Sequence, residues 1–261
     1  MTAKVLVLTG YGINCDMEMK HAFNIAGGQA DRIHLADLLN GSIKISDFQI
    51  LALPGGFSFG DDIASGKVLA NMMKYNLDGQ LQEFIDEGKL VIGICNGFQA
   101  MVKMGMLPAF DGDYSTQDVT LTFNDSGRFE DRWVHLQSVK SSKCVFTKGI
   151  KSIYLPVRHG EGKFVVKNPQ VLTRLKKDNQ IVFRYVDSEG NLAGYPHNPN
   201  GSVDNIAAIC DATGRVFGMM PHPEAFQHRT NHPAWTREEL PEEGAGMAIF
   251  RNAIEYATKN L

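Results

Sequence analysis

Apolar and polar positions follow two regimes along the chain. Lys4-Val5-Leu6-Val7-Leu8-Thr9 predicts a first strand, and the segment after it carries Met19, Ala22, Phe23 and Ala26 at helical spacing before Gly27-Gly28 ends it. Arg32 to Leu35 and Gln49 to Leu53 continue the strand series, with a short helix around Asp37 to Asn40. Ser65 to Tyr75 and Leu81 to Glu87 read as helices; in the second, Leu81, Phe84 and Ile85 form an apolar stripe that Gly88 terminates. Lys89-Leu90-Val91-Ile92 reads as a buried strand, and Gln99 to Met104 as a helix ended by Gly105. Strands and helices alternating at this pitch predict an α/β architecture, a parallel sheet covered on both faces.

Beyond Pro108 the pattern shortens to β-like segments: Val119 to Phe123, Trp133 to Val139, Ile153 to Val157, Lys163 to Val166 and Ile181 to Val186. Polar or glycine-rich turns separate them, including Asn124-Asp125-Ser126-Gly127 and Asn198-Pro199-Asn200-Gly201. No flexible linker or low-complexity run divides the halves, so residues 1–261 are expected to form one domain, the later strands extending the first sheet antiparallel.

Composition narrows the function classes. At 261 residues with 43% hydrophobic and 21% charged content, the chain can bury a full core. The net charge of −3 comes from well-mixed acidic and basic residues, which argues against nucleic acid or an anionic membrane as partner. No positively charged stretch followed by an apolar core opens the sequence, and no apolar run approaches the roughly 20 residues of a membrane span. Cys15, Cys95, Cys144 and Cys210 lie far apart without paired spacing, which suits a reducing cytoplasm better than a disulfide framework or a zinc site.

The stretch Gly93-Ile94-Cys95-Asn96-Gly97-Phe98-Gln99 carries the chemistry. A cysteine between a buried strand and a helix, with glycines two residues before and after it, matches a nucleophile elbow. The start of the helix should favour the thiolate, and the N–H of Asn96 can donate to an oxyanion beside the sulfur. Pro54-Gly55-Gly56-Phe57-Ser58-Phe59-Gly60-Asp61-Asp62 follows another strand, and its paired glycines make it the natural second oxyanion donor. Two nucleotide-like signals fail. Gly10-Tyr11-Gly12 lacks the third glycine of a dinucleotide fingerprint, since Cys15 stands there, and Gly60 to Lys67 has the wrong spacing for a phosphate loop, with Val68 after the lysine. Near the far end, Pro223 in Met219-Met220-Pro221-His222-Pro223-Glu224 favours an extended His222. That puts imidazole and carboxylate on one side, so Glu224 can hold one ring nitrogen and leave the other for a thiol. Nucleophile, base and orienting acid are then present in one chain.

These motifs resemble the class I glutamine amidotransferases, and within them the glutaminase subunits of phosphoribosylformylglycinamidine synthase. The resemblance covers nearly the whole length, resting on Gly12 to Asp16, the Pro54 to Asp61 loop, Gly93 to Gln99, Asn124 to Trp133, Arg158 to Gly162, Asn198 to Ser202 and Met220 to Glu224. It implies the flavodoxin-like fold of that class and L-glutamine as substrate. It also implies roles: Cys95 attacks the side-chain amide, His222 gives a proton to departing ammonia and then activates water, and Glu224 holds the imidazole. Gly56 and Asn96 are the oxyanion donors on this reading, with Gln99 and the His159-Gly160-Glu161 loop helping to hold glutamine.

The resemblance further implies no cofactor or metal on this chain. Ammonia would pass to a large synthetase subunit that uses ATP and magnesium, often with a small bridging subunit, to convert formylglycinamide ribonucleotide to the amidine in purine synthesis. Relative to the compact form of the family, extra length is expected in residues 111–200 and in the Arg229 to Gly244 loop. His228 and His232, in a proline-interrupted loop without metal-ligand spacing, are expected to face solvent. The residues alone leave two other readings open, a cysteine hydrolase of a related fold and a non-catalytic assembly subunit.

Overall fold

In the computed structural model, which describes residues 2–261, five strands lie side by side and parallel, four of them from apolar runs and one, at the edge, mostly polar. They are β1 (Lys4–Thr9), β2 (Gln29–His34), β3 (Ile50–Leu53), β4 (Leu90–Ile94) and β11 (Val216–Met219), in the order β2-β1-β3-β4-β11. β3, β4 and β11 are buried at every position, which is why their sequences are continuous apolar runs rather than alternating ones. Beyond β11 the sheet continues antiparallel through β10 (Ile206–Cys210), β9 (Ile181–Val186), β6 (Glu130–Ser138) and β7 (Ser152–His159). One nine-stranded sheet therefore runs through both halves of the chain.

The helices are α1 (Asp16–Ile25), α2 (Leu35–Leu39), α3 (Lys67–Asp86), α4 (Asn96–Met104), α5 (Pro169–Lys177) and α6 (Met247–Asn260). The crossover from β1 to β2 runs outward in one direction and that from β3 to β4 in the other. Right-handed crossovers then put α1 and α3 on opposite faces. α6 packs beside α1, and α4 beside α3, so both faces are covered. The reversal of strand order falls between β1 and β3, and loops at the carboxyl ends of neighbouring parallel strands line the crevice there.

The antiparallel extension differs from the sequence expectation in detail. Val119–Thr122 and Lys163–Val166, β5 and β8, pair with each other as a separate two-stranded sheet. The two helices expected at Ser65 to Tyr75 and Leu81 to Glu87 are one 20-residue helix, α3; Gly79 meets nothing within 4 Å and is carried without a break. α5, β10 and α6 go beyond the expectation. β10 is buried at all five positions and so shows no alternation. α5 is short, started by the Asn168 side chain accepting from Val171 N–H, with Pro169 at its first turn. α6 buries Met247, Phe250, Ile254 and Ala257, a helical stripe without a capping side chain at its start.

α4 lies unusually close to the sheet, and glycine makes that possible. A Cβ on Gly97 would stand 2.0 Å from the Leu53 carbonyl oxygen, and one on Gly218 would stand 2.1 Å from the Phe98 ring. Both contacts are impossible for any larger residue, so the helix that carries Cys95 at its start is pinned over β3, β4 and β11.

Candidate active site

Cys95 and His222 come from neighbouring parallel strands that end at the same edge. Ile94, the last residue of β4, pairs with Met219, the last of β11, so the chain leaves both strands into one crevice. Cys95 follows at once, with its N–H donating to Met219 O at 2.8 Å. Its backbone sits at φ 51° and ψ −106°, a conformation that side chains rarely adopt and that costs about 1–3 kcal/mol. The packing of α4 holds that strain. Gly93 completes the bend, since a Cβ there would meet the Met101 sulfur at 2.3 Å.

Three residues beyond β11, His222 is anchored by its own N–H donating to Pro156 O of β7 at 2.8 Å. The ring is buried, and Nδ1 meets Glu224 Oε1 at 2.5 Å. Nε2 is buried with no hydrogen-bond partner. Burial alone would push this imidazole down; the Glu224 carboxylate, helped by the sulfurs of Cys95 and Cys15 beside it, outweighs that and holds it well above the ordinary histidine value. The Cys95 thiol contacts Arg158 O at 3.6 Å, so the sulfur lies at the junction of β4, β11 and the end of β7.

Of the two expected oxyanion donors, Gly56 lines the cavity that opens against Cys95, and Asn96 follows Cys95 directly in the chain. Asn96 is the first residue of α4, and Gly56, at φ 149°, lies in the loop after β3. Neither N–H has a backbone acceptor among the described residues. Gly56 is fixed against Ile13 by an antiparallel bridge, in which Asn14 N–H donates to Gly55 O and Phe57 N–H to Gly12 O. The Asn96 side chain ties the two loops together, accepting from Ser58 N–H at 3.1 Å and donating to Asp61 Oδ1 at 3.0 Å.

A small cavity of about 140 Å³ opens against Cys95, lined by Gly56, Asp61, Gln99, His159, Gly160 and Glu161 among others. Gln99 is committed at both ends of its carboxamide: Oε1 accepts from Asn96 Nδ2 at 2.9 Å, and Nε2 donates to Glu161 O at 2.6 Å. It therefore fixes the loop after β7. His159 is buried with Nδ1 at 3.1 Å from Asn124 Oδ1, and Nε2 has no partner. Burial in particular pulls its pKa down to about 3, so it is a neutral imidazole throughout the working range.

Several residues that shape this site had no role assigned from sequence. Asn124 holds the His159–Gly162 loop with four contacts: Nδ2 donates to Arg128 O and His159 O, and Oδ1 accepts from Gly162 N–H while facing His159 Nδ1. Lys103 is buried on α4 and donates to Ser65 O at 2.5 Å. Burial lowers its pKa and raises that of Asp61, whose carboxylate accepts from Ser65 Oγ. None of these has a local signature: Asn124 acts from a distant loop, and Lys103 reaches from α4 to the Ser65 segment. His232 departs from its expected place in solvent. It is buried in an aromatic cluster with Trp133, Tyr154 and Phe226, at ring-centroid distances of 5.4, 5.6 and 5.7 Å. Its loop folds back because Arg229 N–H donates to Glu242 O and Gly244 N–H to Gln227 O. His228 stays partly exposed, paired with Glu242 at 2.8 Å.

A thiol at a strained elbow, two free N–H groups and a carboxylate-held imidazole can attack a carbonyl carbon, stabilise the oxyanion and move the protons. Comparison with known proteins agrees in kind: the model of the CobB/CobQ-like glutamine amidotransferase domain matches residues 2–257. The chain belongs to that glutamine amidotransferase family. Among its relatives, the amidotransferase is 46% identical over 271 aligned positions to the phosphoribosylformylglycinamidine synthase subunit PurQ of Methanococcus maripaludis, covering 99% of this chain and 100% of that one. The same-named subunit of Dehalococcoides mccartyi is 47% identical, with 97% of each chain covered. A chain in the structure of PurLQS from Thermotoga maritima matches with a TM-score of 0.73 and 28% identity, covering 98% of this chain and 99% of that one. The alignment with the Methanococcus relative thus spans almost the full length of both chains.

Proposed function

We infer that the chain is the glutaminase subunit of a phosphoribosylformylglycinamidine synthase, acting in purine biosynthesis. One observation carries the chemical part. The bare Nε2 of a buried imidazole, whose Nδ1 is held 2.5 Å from Glu224, lies beside a thiol on a strained strand-to-helix turn. The reading of the partner reaction rests on relatives with that name matched end to end.

On this reading the Cys95 thiol gives its proton to His222 Nε2, and Sγ attacks the side-chain amide carbon of glutamine as the carbonyl π pair moves to oxygen. The oxyanion forms between the N–H groups of Gly56 and Asn96. His222 Nε2 passes a proton to the amide nitrogen, the C–N bond breaks, and ammonia leaves a γ-glutamyl thioester on Cys95. A water then gives a proton to Nε2 and attacks the thioester, releasing glutamate and the thiol. Glu224 keeps the ring oriented and stabilises it when charged. The Asp61 and Glu161 carboxylates that line the cavity are suited to the α-ammonium of glutamine, with His159 and Gly160 forming the wall and Gln99 holding that wall in place.

The continuous sheet supports reading residues 1–261 as one amidotransferase domain. Ammonia goes to a synthetase subunit, with a small third subunit beside it; the match to a chain of PurLQS supports such an assembly. ATP and magnesium belong to that partner. Four free cysteines support a cytoplasmic setting, and no helix among the described residues is long and apolar enough to cross a membrane. The test is nitrogen transfer. With the synthetase subunit present, glutamine labelled at its amide nitrogen should deliver that label to the amidine product, detected by mass spectrometry. Unlabelled product would sink the assignment.

A further inference from the structure

Cys15 has no part in the chemistry above, yet its thiol stands beside His222 and Glu224. It lies on the loop after β1, held there because Asn14 and Cys15 N–H both donate to Gly55 O, at 3.3 and 3.2 Å. The Cys15 sulfur, an imidazole nitrogen of His222 and a carboxylate oxygen of Glu224 all lie within 4.8 Å of one another. Gly55 permits this convergence: a Cβ there would come 3.3 Å from Cys15 Sγ and 2.7 Å from His222 Cε1. His222 Nε2 and Glu224 Oε2 are each buried without a hydrogen-bond partner. The Cys15 side chain is only partly buried, which leaves it a route to solvent and room to rotate.

Thiolate, imidazole and carboxylate are the three side-chain donors that zinc takes. Two donors on a tetrahedral zinc ion stand about 3–3.5 Å apart, so Cys15 has to swing inward by a side-chain rotation while the 2.5 Å contact of His222 Nδ1 with Glu224 Oε1 opens to admit the ion. We propose that Cys15, His222 and Glu224 form a site for one thiophilic divalent cation of the zinc class, whose binding reversibly stops glutamine turnover. The Cys15 thiol gives its proton to solvent, Glu224 supplies an oxygen, and His222 supplies a lone pair, losing any proton carried on that nitrogen. Water completes the coordination. The ion thereby takes the imidazole that ammonia release needs. The inhibitory half rests on the amidotransferase reading above; the binding half does not.

Cobalt(II) is the probe for binding, because a cysteine ligand adds a sulfur-to-metal charge-transfer absorption. The full chain is expected to take up one cobalt ion with that band. Cys95→Ser should keep the band and Cys15→Ser should lose it, with affinity falling at least tenfold. Zinc chloride should inhibit glutamine hydrolysis and a chelator should restore it; in Cys15→Ser, measured against its own metal-free rate, the inhibitory concentration should rise at least tenfold. Should Cys15→Ser fail to fold, zinc added to the parent should slow alkylation of Cys15 tenfold and leave Cys144 unchanged. A cobalt band that survives in Cys15→Ser, a band lost only in Cys95→Ser, or no protection of Cys15 would each overturn the site. Failure of nitrogen transfer from glutamine would leave the cobalt result untouched, so the two claims fail separately.

Discussion

Cys95→Ala is expected to remove glutamine hydrolysis, by about 10⁴-fold or more, because it deletes the sulfur that attacks the amide in the proposed mechanism. The fold should not change. Cys95 is a small buried residue, and alanine at φ 51° carries the same backbone strain while losing only the sulfur. In complex with the synthetase subunit, the variant should still make amidine from added ammonium salts at the parent rate, since that route bypasses the thiol. Steady-state assays with glutamine and with ammonium, side by side, read both effects. Loss of both activities would mean that Cys95 supports assembly rather than chemistry.

His222→Ala should lower kcat with glutamine by about 10²–10⁴-fold, the usual worth of a positioned acid–base group. Glu224→Gln keeps the shape and removes the charge, and its effect is set by sign. Burial pushes the His222 imidazole down, and Glu224 leads the groups that lift it well above its ordinary value. Without that carboxylate the imidazolium is lost at lower pH. Protonation of departing ammonia then fails first on the alkaline side, so the alkaline limb of the kcat profile should move to lower pH. Linkage gives the matching stability effect. A raised folded-state value stabilises fully below the unfolded value of about 6.5 and is lost as pH rises through the raised one. The parent should therefore exceed Glu224→Gln in stability most near and below neutral pH, with the gap closing as pH rises. A variant whose alkaline limb stays put would remove Glu224 from this role.

What the sequence made legible was whatever is local. Buried parallel strands announce themselves as apolar runs, and the glycines around Cys95 mark a bend whose need for glycine is seen in the 2.0 Å approach of a Gly97 Cβ to Leu53 O. His222 and Glu224 are two residues apart, so their pairing at 2.5 Å is also a local matter. Long-range placement was not legible. That β11 lies beside β4 is a fact of topology, and it alone brings an imidazole near the far end of the chain to a thiol in the middle. Asn124, Lys103 and Cys15 work at the site across separations that leave no periodic trace. α6 was hidden for a different reason: its apolar stripe is clean, but it begins without a capping side chain after a long irregular loop. His232 was misplaced because a polar, proline-interrupted segment gives no sign that its ring will stack on Trp133.

The proposed chemistry turns on a covalent bond between glutamine and one sulfur. Acid quenching of the working enzyme with isotopically labelled glutamine, followed by peptide mapping, shows where the γ-glutamyl group sits. The label should reside on the peptide containing Cys95, should be absent from those containing Cys15, Cys144 and Cys210, and should vanish in Cys95→Ala. A γ-glutamyl label on another cysteine, or one that survives in Cys95→Ala, would contradict it.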